Sequence, residues 1–60
     1  MFTVENHGTI LLVRPLTNDV RDWLELHTAG QWFGGALVVE HRYVDELVSG
    51  MITEGGFALQ

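Results

Sequence analysis

Sixty residues allow one domain, and 47% apolar against 18% charged residues is a folding composition. Eight carboxylates against three arginines and no lysine leave a formal net charge of −5. That balance argues against binding nucleic acid or an anionic membrane directly, and the absence of cysteine excludes disulfide and thiolate metal sites.

Met1-Phe2-Thr3-Val4-Glu5-Asn6 has neither a basic region nor a long apolar run, so no signal peptide is expected. The longest apolar stretch, Ile10 to Val13, is too short to span a membrane. A soluble intracellular protein is the expected default. Phe2–Glu5 alternates and Thr9–Arg14 is rich in strand formers. A three-residue turn over Asn6-His7-Gly8, with a bulge, is expected between them. Pro15 has no N–H and should end the pairing.

Thr17 or Asn18 can cap a helix, with Asp19 and Asp22 answering its dipole. Val20, Trp23, Leu24 and His27 recur at i, i+3, i+4, i+7, one helical face. Asp19, Asp22 and Glu25 point away from it, and Gly30 is the expected stop. Gln31-Trp32-Phe33-Gly34-Gly35 reads as an aromatic loop or strand start, followed by a buried strand over Ala36–Glu40. A second helix opens at His41 or Arg42. Val44, Leu47, Val48, Met51 and Ile52 form its stripe, the clearest periodicity in the chain, and Gly55-Gly56 stops it. Phe57-Ala58-Leu59-Gln60 reads as a last short strand. The expected fold is a two-layer α+β domain over residues 1–60 in β-β-α-β-α-β order. A sheet of three to four strands carries two helices on one face.

No spacing of His7, His27 and His41 matches a metal pattern, so no metal and no cofactor is expected. Glu40, His41 and Asp45 could form an acid–base group. The plainer reading makes Glu40 a strand-end residue and Asp45 a first-turn acid. No nucleophile stands beside them in a recognisable frame, and the glycine pairs lack the phosphate-loop pattern. The chain therefore reads as non-enzymatic.

Two sets of residues remain for binding. Asp19, Asp22 and Glu25 form one helical ridge, and Asp45, Glu46 and Glu54 add charge around the second helix. Carboxylates three residues apart rise by about 4.5 Å along a helix, against about 3.4 Å between phosphates on a DNA strand. The ridge could imitate a phosphate backbone, or be only a solvated face. Trp32 and Phe33 beside two glycines could anchor a partner, or fill the core.

Gly8-Thr9-Ile10, Arg14-Pro15-Leu16-Thr17 and Arg21-Asp22-Trp23 are followed by Gln31-Trp32-Phe33-Gly34-Gly35, Val39-Glu40-His41-Arg42-Tyr43-Val44 and Gly55-Gly56-Phe57. This pattern, over nearly the whole chain, resembles a family of small prophage- and plasmid-encoded proteins that has no assigned activity. The resemblance implies the company of bacterial mobile elements and carries no catalytic residue across. In size and charge, compact acidic proteins of such elements are similar to anti-CRISPR and anti-restriction inhibitors, which bind host nucleic-acid machinery. The resulting expectation is an inhibitor whose acidic surface engages a basic DNA or RNA groove on a host protein or ribonucleoprotein. The alternative is a structural or regulatory adaptor associating through Trp32, Phe33 and an open sheet face or edge. Either would be a monomer or weak homo-oligomer.

Overall fold

The computed structural model describes residues 1–60. Strands β1 (Phe2–Asn6) and β2 (Ile10–Pro15) pair antiparallel, in register from Phe2 opposite Pro15 to Asn6 opposite Leu11. The His7 N–H donates to the Ile10 carbonyl at 2.9 Å and leaves Gly8-Thr9 as a two-residue loop. Gly8 has φ +83° and Thr9 is not positive, the sign pattern of a type II′ turn. The expected three-residue turn with a bulge is thus corrected. The Asn6 side chain accepts the Gly8 N–H at 2.9 Å, so Asn6 stays in the strand and the hairpin closes one step later. Opposite Pro15, the Phe2 N–H and carbonyl bond outward to residues 58 and 60, so the ladder needs no N–H from the proline.

Helix α1 spans Asn18–His27 with Thr17 at its N-cap. The Thr17 hydroxyl donates to the Asp19 carboxylate and not to the backbone. The helix stops at Thr28, which is extended and turns both its N–H (2.9 Å) and its hydroxyl (2.8 Å) onto the Leu24 carbonyl. Gly30 is therefore not the stop. A Cβ there would lie 2.9 Å from Leu37 Cδ1, so the residue allows a close approach of the chain to the core.

Strands β3 (Trp32–Phe33) and β4 (Ala36–Glu40) form a second hairpin. Its loop, Gly34-Gly35, has φ +56° and +79°, the two positive values a type I′ turn requires. Helix α2 (His41–Thr53) follows directly, with Glu40 at its N-cap. Asp45 consequently lies past the first turn, which holds no acid. Residues 57–60 contract from the expected strand to one parallel bridge, Leu59 to Phe2, held by the Phe2 N–H on the Ala58 carbonyl and the Gln60 N–H on the Phe2 carbonyl.

The sheet is antiparallel in the order β1-β2-β4-β3. With two helices it makes a small α+β fold. The register puts Phe2, Val4, Leu11, Val13, Leu37, Val39 and Trp32 on one face. Val20 and Leu24 of α1 and Met51 of α2 pack there with Phe2, Val13, Leu37 and Val39, so both helices cover the same side. The α2 stripe behaves as its periodicity predicts, with Met51 buried and Val44, Leu47 and Val48 half-buried, while Ile52 at its margin is exposed. Neither helix is long and apolar enough to cross a membrane.

Candidate interaction surfaces

The layered fold gives the molecule two unlike faces. On the helical side, Asp19, Asp22 and Glu25 are all exposed on α1, as are Asp45, Glu46 and Glu54 on and beside α2. Their surroundings differ. Glu25 accepts from Arg21 Nε at 3.0 Å, an i,i+4 ion pair, and the same guanidinium lies over the Trp32 ring at 4.8 Å. Asp19 accepts the Thr17 hydroxyl and the Val20 N–H. These bonds, the hydroxyl's first, hold its carboxyl below the usual aspartate range. The side chains of Asp22, Asp45, Glu46 and Glu54 make no hydrogen bond or ion pair. Glu54 is the C-cap of α2, where the helix dipole disfavours a negative charge.

The arginines pair with one glutamate each. Arg14 Nε meets Glu5 at 3.2 Å, Arg21 meets Glu25, and Arg42 meets Glu40 at 3.6 Å. The five carboxylates left over, equal in number to the whole net charge of −5, are Asp19, Asp22, Asp45, Glu46 and Glu54. All five belong to α1, α2 or the C-cap of α2. The carboxylates without a cation therefore lie in the helical layer; within the expected ridge Glu25 is paired with Arg21, while Asp19 and Asp22 have no cation.

The opposite face carries Thr3, Glu5, Ile10, Leu12, Arg14, Phe33, Ala36, Val38 and Glu40. No helix covers it. Ile10, Leu12, Val38 and Phe33, with Trp32 and His7 at the margin, line an open groove of about 610 Å³. No protein-family model, curated protein or solved structure matches this chain.

The two aromatic candidates separate. Trp32, opposite Leu37, packs half-buried against the core under Arg21. Phe33 turns to the open face and is 70% exposed. Of the acid–base candidates, the His41 imidazole bonds the Gly8 carbonyl and Glu40 pairs with Arg42 at 3.6 Å, so neither is engaged with the other. His27 stacks on Trp23 at 4.0 Å between ring centroids and contacts the Trp23 carbonyl at 2.9 Å.

One cluster is missed by sequence reasoning. Glu5 accepts from Arg14 and sits 3.3 Å from His7 Nε2, and Arg14 also donates to the Gly34 carbonyl at 2.9 Å. The His7 hydrogen bond and then the Arg14 guanidinium hold the Glu5 carboxyl below its usual range. The signal was the strand alternation itself, which puts Glu5 and Arg14 on one face once the hairpin register is known.

Proposed function

We propose that this is a non-enzymatic binding protein of a bacterial mobile element, an anti-CRISPR-like inhibitor. It acts in the host cytoplasm by occupying a basic DNA- or RNA-binding groove on a host protein or ribonucleoprotein complex, with its helical layer toward the groove. One observation supports this reading: every carboxylate left without a cation lies on the helices or at their end. Five negative charges within a body 27 Å long create a directional field that steers a basic partner toward one side. Asp22, Asp45, Glu46 and Glu54 are its principal contacts. Asp19 contributes charge while bonded locally, and Glu25 contributes little while Arg21 is paired with it.

The test is retention of a nucleic-acid-binding complex from bacterial lysate on the immobilised protein. Bound complex should be released by duplex DNA and by salt, since screening shortens from about 10 Å at 0.1 M to about 3 Å at 1 M. Asp22→Asn, Asp45→Asn, Glu46→Gln and Glu54→Gln together should abolish retention with the fold intact. Retention that survives these four changes at low salt would show the reading to be wrong.

A further inference from the structure

The sheet face turned away from the helices is apolar, and its charges cancel. Glu5 is paired with Arg14 and His7, and Glu40 at the rim with Arg42. Phe33 stands out from it, 70% exposed, beside half-buried Ile10 and Val38 and buried Leu12. We propose that this face is a contact between two copies of the chain, packed sheet to sheet about a two-fold axis. The inference stands independently of the acidic helical layer and its partner.

Charge selects the occupant. Two chains of net charge −5 repel in any approach that brings their helical layers together. Packing by the open faces puts those layers at the far ends of the pair, the arrangement with least repulsion. A basic partner finds no unpaired carboxylate on this face to hold it. A second copy supplies an apolar, internally neutralised surface of the same chemistry, and a two-fold contact requires that kind of self-match. The chain also has reason to associate, because 10 of its 60 residues are buried and a core of this size is marginal alone.

Area sets the strength. Four strands about 4.8 Å apart, the longest of six residues at about 3.3 Å each, offer on the order of 400 Å² per copy, about half the ~800 Å² per partner of a standard interface. The dimer is accordingly weak and reversible, formed at high protein concentration. Phe33, on the edge strand β3, is its anchor, since exposed large aromatics dominate such interfaces.

Sedimentation velocity and an NMR dilution series at low and high salt test this. Added salt should strengthen the association by screening the repulsion, opposite to its effect on the acidic layer's partner. Signals that move on dilution should belong to Ile10, Leu12, Phe33 and Val38. Phe33→Ser, at an exposed position, should weaken dimerisation roughly tenfold or more and leave the dilute chain folded. Leu26→Ser, on α1 at a position 81% exposed, should leave dimerisation unchanged. The proposal is overturned if the chain stays monomeric at millimolar concentration in high salt. It is equally overturned if the moving signals lie on the helices, or if Leu26→Ser acts as strongly as Phe33→Ser.

Discussion

Glu5 shows how one residue carries information that the net charge hides. It is one of three carboxylates with an arginine partner and the one held by two side chains, His7 first and Arg14 second. Its carboxyl titrates below its ordinary value of 4.5. A carboxyl depressed in the folded state contributes stability that is fully present above its unfolded pKa and is lost as pH falls through the folded one. The loss therefore begins near pH 4.5 and continues below it. Carbon-detected NMR titration of the Glu5 carboxyl should give a midpoint below the ordinary value. His7→Gln and Arg14→Gln should each raise it. A midpoint unmoved by both would remove this cluster from the open face. The partners also show why charge pairing was not legible at this scale. Each arginine selects a glutamate by reach and register, and only Arg21 to Glu25 follows the helical i,i+4 rule that a sequence displays.

At the scale of elements, the glycines divide into those that supply a backbone angle and those that supply room. Gly34 opens the type I′ turn at φ +56°, and a Cβ at that position would have nothing within 4 Å, so asparagine fits there. Gly34→Asn should raise stability by about 0.4–1 kcal/mol through the unfolded state. Gly55 is the opposite case. A Cβ there would meet the Phe57 ring at 2.6 Å and the Met51 carbonyl oxygen at 2.8 Å, so the backbone must shift. Gly55→Ala should cost about 1–3 kcal/mol, as overpacking does. Urea melts of the two variants check both signs. Both helices were legible because their apolar stripes repeat over two turns or more, and β1, β2 and β4 because their residue types are strand formers. Strand β3 was legible only as an aromatic loop or strand start, since two residues display no alternation; the Gly-Gly between Trp32-Phe33 and Ala36-Leu37 was the available hairpin signal. Phe57 and its neighbours look like a strand because they are apolar, yet Phe57 packs edge-on to Trp23 at 6.1 Å instead of extending a ladder. Of the candidate surfaces, the exposure of the acids followed from helical phase, whereas the split between Trp32 and Phe33 required the β3–β4 register.

For the whole molecule, the two proposed contacts make salt a diagnostic with two signs: it should weaken binding by the acidic layer and strengthen pairing of the open sheet faces. A folded chain of this length has a stability of about 3–9 kcal/mol on general scaling, so a single lost core contact is a large fraction of it. The same three arginines that leave the helices acidic also govern how a protease sees the chain. With no lysine, trypsin has three possible sites. Arg14 is followed by Pro15, which resists cleavage, leaving Arg21 inside α1 and Arg42 in the first turn of α2. Cutting at either requires its helix to unwind, so native digestion should proceed at the rate of helix opening and accelerate steeply in urea. Mass spectrometry of the fragments would then time α1 and α2 separately, and cleavage as fast in buffer as in urea would contradict the packing described for both. A chain this poor in cations thus carries one proteolytic clock in each helix.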